Sequence, residues 1–200
     1  MDMYQLFVPE WNEEDNKRPK GMSVHDAFEM LKKEYGIAHS KEEFMERMNE
    51  FALDLYQSKA QMIDGIQHLF DRLDAMNIPI GIATASRAMW LDSALDLHNI
   101  RHRFAAISNS DDVEHSKPHP AVYLRTAKEL GVDPLKCVAL EDSTQGLTSA
   151  KAAGMYAIGL RMEDHLERAE DLALADMVIG HPNELTEEVL RSIPSPRGEG

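Results

Sequence analysis

The chain has 200 residues, 43% apolar and 28% charged, ordinary globular values that exclude a disordered tail, a collagen-like repeat and a disulfide scaffold. Its 21 Lys and Arg against 35 Asp and Glu leave a net charge of −14, which repels nucleic-acid phosphates and anionic membranes and favours divalent cations. One cysteine, Cys137, excludes an internal disulfide and a cysteine-cluster zinc site, no apolar run approaches a membrane span, and Met-Asp-Met-Tyr-Gln lacks the features of a secretory signal, so a cytoplasmic protein is expected.

Residues 1–19 read as an irregular segment, in which Tyr4-Gln5-Leu6-Phe7-Val8 is a candidate short strand and the stretch from Pro9 on is a polar loop. Residues 20–62 form the next region, helical over 23–60. Ser23 can cap a helix with Val24, Ala27, Phe28 and Leu31 at spacings of three and four, and Gly36 can stop it. Ser40-Lys41-Glu42-Glu43 is a capping box, and Phe44, Met48, Phe51 and Leu55 behind it form one helical stripe. Two amphipathic helices this close predict a helical hairpin.

From residue 63 to 193 the pattern changes. Apolar runs end near Ala83, Ile107, Leu140, Leu160 and Ile179. Helix-length segments at about 87–98, 119–131, 144–153 and 163–172 lie between them. This alternation predicts an α/β fold with a doubly wound, buried parallel sheet. Residues 194–200 read as a tail. In such sheets ligands bind beyond the carboxyl ends of the strands, which directs attention to three places.

The first strand ends in Ala83-Thr84-Ala85-Ser86, where the Thr84 and Ser86 hydroxyls and the amides of Ala85 and Ser86 suit an anionic oxygen. Helix capping by Ser86 is the competing account. The second strand leads to Ser116-Lys117-Pro118-His119-Pro120, whose prolines stiffen the approach of Lys117 to the sheet edge. A solvated lysine in a turn is the competing account, and His119 suits capping better than metal ligation. The third strand ends in Glu141-Asp142-Ser143, two adjacent carboxylates that a hard cation such as Mg²⁺ would neutralise. N-capping explains one acid easily and two less easily.

Taken together, Ala-Thr-Ala-Ser (83–86), Ser-Lys-Pro-His-Pro (116–120) and Val-Ala-Leu-Glu-Asp-Ser-Thr-Gln-Gly (138–146), followed by Ala-Ala-Gly-Met, closely resemble motifs two, three and four of the haloacid dehalogenase superfamily. The resemblance covers roughly residues 20–192 and is strongest to the magnesium-dependent sugar-phosphate phosphatases and mutases with a small helical cap, the β-phosphoglucomutase and 2-deoxyglucose-6-phosphatase type. It implies a Rossmann-like core with a partial helical cap, hydrolysis of a small phosphorylated metabolite, and Mg²⁺ as cofactor. It further implies that Thr84, with Ala85 and Ser86, binds the phosphoryl oxygens, that Lys117 neutralises charge, and that Asp142 with Glu141 holds the metal.

The same resemblance calls for an aspartate nucleophile and an acid/base aspartate two residues later, in a first motif Asp-x-Asp-Gly. The sequence has no such segment: Asp2-Met3-Tyr4 does not match, and Glu10 and Asn12 are the wrong residues. The expectation is a truncated chain, inactive as it stands, whose sheet lacks the strand between the one ending at Thr84 and the one ending at Glu141. Weak Mg²⁺ binding and self-association through the incomplete sheet follow from that expectation. The alternatives are a non-catalytic relative that binds a metabolite or a protein, a dehalogenase-type enzyme of the same fold, and an unrelated doubly wound binding protein.

Overall fold

A computed structural model describes residues 3–12, 14–19, 22–161 and 173–194. The helix expected at 163–172 and nearly all of the expected tail lie outside the described residues.

The helical hairpin forms from its caps. Helix α1, Val24–Tyr35, starts where the Ser23 side chain accepts the Asp26 amide and ends at Gly36, whose φ of 63° is left-handed. Helix α2, Lys41–Ser58, opens with the reciprocal Ser40–Glu43 capping box. Val24, Phe28 and Leu31 of α1 share one core with Phe44, Met48 and Ala52 of α2, and Ala27 is buried beside them in sequence. The buried stripe of α2 thus runs 44, 48, 52, while Leu55 is exposed and Phe51 only half-buried, a small rotation from the expected stripe.

Residues 4–8 do not form a strand. Met3–Leu6 is a 3₁₀ turn, and Phe7, Val8 and Trp11 are buried in the hairpin core. The segment lacks the polar–apolar alternation of a half-buried strand, and three large apolar groups in five positions find more burial against two helices than along a sheet edge.

The remaining elements alternate: α3 (Ile66–Ala75), β1 (Gly81–Ala83), α4 (Ala88–Leu97), β2 (Ala106–Ser108), α5 (Ala121–Leu130), β3 (Val138–Glu141), α6 (Thr144–Ala152), β4 (Tyr156–Leu160), β5 (Met177–Ile179) and α7 (Glu187–Ser192). Every strand pairing is parallel, as the βα pattern requires. Among the described residues the strands form two sheets rather than one: β1 with β2, and β3–β4–β5.

Side chains of the second sheet feed two cores. Ala139 and Ala157 face one with Tyr123, Ala127, Leu147 and Ala150; Leu140, Ile158 and Leu160 face the other with Leu69, Ile179 and Leu185. Helices therefore cover both faces, the doubly wound arrangement. Burial is uneven across the molecule. Four of the five β4 residues are buried, whereas all three of β1 are only half-buried.

Candidate active site

The chemistry gathers at the carboxyl end of β3. The loop before α5 carries Lys117, only 7% exposed, and its ammonium donates to Glu141 Oε1. Tyr123, on the first turn of α5, donates its hydroxyl to the same oxygen. Ser143 Oγ donates to Oε2 at 3.3 Å while also accepting the Gly146 amide at 3.0 Å, so one hydroxyl caps α6 and braces the acid. Lys117 Nζ lies 5.0 Å from the centre of the Tyr123 ring, a cation–π distance. Glu141 is thus a buried carboxylate that the protein neutralises itself. Removing one partner of such a pair costs about 3–5 kcal/mol, because it strands a charge in a dry site.

Gly146 makes the arrangement possible. A Cβ there would overlap the Glu141 carboxylate, so only glycine lets α6 approach it. Burial, followed by the negative charges of Glu141 and Asp142, pushes the Tyr123 hydroxyl well above its usual value and keeps it a donor.

The Thr84–Ser86 loop is held from within. Thr84 Oγ1 accepts the Ser86 amide at 3.1 Å, and the Thr84 amide donates to Ser108 O at 3.0 Å. Ser110 donates both amide and hydroxyl to Ser86 O at 3.1 Å. Ser86 does not cap α4. Asp111 does, accepting the Ala88 amide at 3.0 Å while pairing with Arg87. His119 Nδ1 accepts the Ala121 amide at 3.3 Å, a local cap of α5.

A cleft of about 490 Å³ lies between the helical hairpin and these loops, lined by Asp26, Lys41, Arg87, Ser110, His115 and Lys117 among others. Asp26 of α1 spans its mouth: Ser116 and Ser23 both donate to Asp26 Oδ2. Burial alone would raise the Asp26 carboxyl, but these two donors outweigh it and hold it below its usual value. A second cavity of about 520 Å³ lies between β1 and β3 and includes Tyr123 and Glu141 in its lining. The expected site set is therefore divided. Lys117 lines the cleft and Glu141 the inter-sheet cavity, and their ion pair stands between the two. Thr84, Ala85, Ser86 and Asp142 line neither cavity.

The oxygen donors at 141–142 suit Mg²⁺ in kind, since hard cations take carboxylates and water. They suit it less well in arrangement. Glu141 is already engaged by Lys117, Tyr123 and Ser143, and among the described residues no three His, Cys, Asp or Glu side chains converge on a metal-holding group. Tyr123 was not legible as a site residue, because it sits among core positions of α5. Gly146 was legible only as the last residue of the 138–146 motif.

These features define a doubly wound α/β core whose strand-end loops face a helical hairpin across a cleft. The chain belongs to the haloacid dehalogenase-like hydrolase family, whose profile matches residues 2–160. It is 34% identical over 147 residues to hexitol phosphatase B of Escherichia coli K12, an alignment covering 74% of this chain and 66% of that protein. It is 30% identical over 194 residues to β-phosphoglucomutase of Bacillus subtilis, covering 93% and 81%. The chain spans 66% of the K12 hexitol phosphatase B and 54% of its counterpart in E. coli O157:H7. Among solved structures, β-phosphoglucomutase of Clostridium difficile matches with a TM-score of 0.79 at 24% identity, covering 90% of this chain and 81% of that one, which shows the shared fold. No described helix is long and apolar enough to cross a membrane.

Proposed function

We propose that this chain carries the phosphoryl-binding and charge-neutralising part of a Mg²⁺-dependent phosphomonoesterase for small sugar phosphates. The observation that carries the reading is Lys117, a buried ammonium fixed by Glu141 at the floor of a cleft that also presents Arg87 and Lys41. A preorganised cation in a half-enclosed site stabilises a transferring phosphoryl group better than one in open water. The names of the relatives, a hexitol phosphatase and a phosphoglucomutase, support the sugar-phosphate class. So does Gln145 Oε1, a buried acceptor in the cleft wall without a hydrogen-bond partner, which suits a sugar hydroxyl.

In this reading Thr84 and Ser86 orient phosphoryl oxygens at the end of β1, and Lys117 offsets their charge. Asp142, with Glu141 behind it, holds Mg²⁺ largely through water, and the ion adds further charge neutralisation. A site with so few protein carboxylates binds Mg²⁺ at roughly millimolar concentration, because the ion keeps most of its waters.

Neither hydroxyl nor lysine replaces a carboxylate nucleophile, and the sequence contains no Asp-x-Asp. The chain alone is therefore proposed to be inactive. The test is a chromogenic phosphate ester with Mg²⁺, applied to this chain and to a version extended by a strand ending in Asp-x-Asp-Gly-Thr. Turnover by the extended form alone, lost on Lys117→Ala, is the expected result. Turnover by the unextended chain that disappears with both Lys117→Ala and Glu10→Gln would instead make exposed Glu10 the nucleophile and overturn the reading.

A further inference from the structure

Lys117 is buried, and its neighbours decide where its ammonium points. An ammonium has three N–H donors, and each carboxylate oxygen offers about two acceptor directions. One Lys117 donor goes to Glu141 Oε1, and the Tyr123 hydroxyl takes the other direction of that same oxygen. Oε2 is held in turn by Ser143 and packs against Gly146. Glu141 is therefore fixed at both oxygens, and it offers Lys117 no second acceptor to move to.

The Tyr123 ring closes a further direction. Its centre lies 5.0 Å from Lys117 Nζ, within the range over which a ring face attracts a cation. The ring is itself fixed, since Tyr123 is buried and shares a core with Val122, Ala127, Leu147 and Ala150. The backbone between Lys117 and Tyr123 is tied down as well: fully buried Ser149 of α6 donates to His119 O at 2.8 Å. Lys117 lines the cleft, whereas Tyr123 and Glu141 line the cavity behind it. Tyr123 thus meets the lysine from behind and does not reach a ligand in the cleft.

Resting on the phosphoryl site proposed above, we infer that Tyr123 is a positioning residue for Lys117: its hydroxyl and its ring together hold the ammonium so that the donor left over is presented to a phosphoryl oxygen in the cleft. A buried tyrosine needs a partner for its hydroxyl. That need alone does not require the partner to be the oxygen that anchors the lysine, nor the ring to face the ammonium. Both contacts act on one nitrogen, and a preorganised donor is worth most where water is excluded.

The test uses the full chain carrying isotopically labelled lysine, with inorganic phosphate as the ligand and no metal added. Titration calorimetry reads phosphate affinity, and nuclear magnetic resonance reads the Lys117 ammonium, assigned by its loss in Lys117→Ala. Tyr123→Phe keeps the ring and removes the hydroxyl, while Tyr123→Leu removes both. Phosphate affinity is expected to fall about threefold in Tyr123→Phe, the scale of one hydrogen bond, and about tenfold in Tyr123→Leu. The Lys117 ammonium protons are expected upfield, under the ring, in the parent chain and in Tyr123→Phe, and to move downfield in Tyr123→Leu. Val122→Ala, a cut into the same core one position away, is expected to lower the melting midpoint and leave both readings unchanged. An equal loss of affinity in Val122→Ala would reduce Tyr123 to a structural role and overturn the proposal, as would an ammonium signal that Tyr123→Leu leaves in place. Phosphate binding lost in Lys117→Ala but unchanged in both Tyr123 variants would overturn it while sparing the phosphoryl site. Phosphate binding that Lys117→Ala leaves unchanged, or no binding by the parent chain, would overturn both.

Discussion

At the scale of single residues the site rests on two positions that touch Glu141, and each yields a prediction whose sign is diagnostic. Replacing a helical glycine by alanine ordinarily stabilises by up to about 1 kcal/mol. Gly146 lies in α6, yet its Cβ would overlap the Glu141 carboxylate and push it from Lys117 and Tyr123. Gly146→Ala is therefore expected to destabilise by about 1–3 kcal/mol, as overpacking does, read as a lower denaturant midpoint. An unchanged or raised midpoint would mean that Glu141 has room to move. Tyr123 supplies the second prediction. Burial and the neighbouring charges of Glu141 and Asp142 raise its folded pKa above the unfolded value. That stabilising contribution is fully present below the unfolded value of about 10 and is lost as pH rises toward the folded one. Stability should fall above pH 10 by at most about 1.4 kcal/mol per pH unit from this group. Tyr123→Phe should flatten that part of the pH profile, even though it removes a hydrogen bond and lowers stability at neutral pH.

At the scale of elements, the helical hairpin and the core meet through a few polar groups set in an apolar seam. Asn49 of α2 accepts from both Arg87 Nη1 and Trp90 Nε1 at 3.1 Å, and the Trp90 ring is buried and stacked 6.3 Å from Tyr56. Asn49→Ala leaves the indole N–H without its acceptor in a dry seam, a cost of about 1–3 kcal/mol. Loss of melting stability by that amount, with the Trp fluorescence red-shifted as water enters, is the expected outcome. An unshifted spectrum would show that the hydrogen bond does not hold the seam closed. Elements with local signals were the ones legible in the sequence. Ser23, the Ser40–Glu43 box and Gly36 bound two helices by bonds within a few residues, and the βα alternation marked every strand. What escaped depended on contacts distant in sequence. Residues 4–8 fold into the hairpin core because Phe7 and Val8 find Phe28, Phe44 and Met48 there. Lys117 and Glu141 were legible as strand-end residues, but their mutual ion pair and its Tyr123 brace were not, since nothing local encodes a contact between residues 24 positions apart.

At the scale of the whole molecule three terms act in the same direction. Among the described residues the sheet is divided, leaving edges of β1 and β3 beside a cavity of about 520 Å³, and unpaired backbone groups cost on the order of 1–3 kcal/mol each where they are buried. Large apolar side chains at the rim of that cavity gain only part of their burial energy. A net charge of −14 adds self-repulsion in the compact state. Against these stand mostly exposed ion pairs such as Arg101–Asp92 and Lys59–Asp54, each worth about 0–1 kcal/mol. The balance predicts a melting midpoint below about 60 °C, the upper part of the usual mesophile range. It also predicts the direction of a salt titration. Sodium chloride shortens the Debye length from about 10 Å at 0.1 M to about 3 Å at 1 M. That screens the excess of like charge throughout the surface, whereas the buried Lys117–Glu141 pair is little affected. Scanning calorimetry should therefore show the midpoint rising with salt. A midpoint above 60 °C in low salt, or one that falls as salt is added, would mean that the divided sheet and the acidic surface are not what limits the stability of this fold.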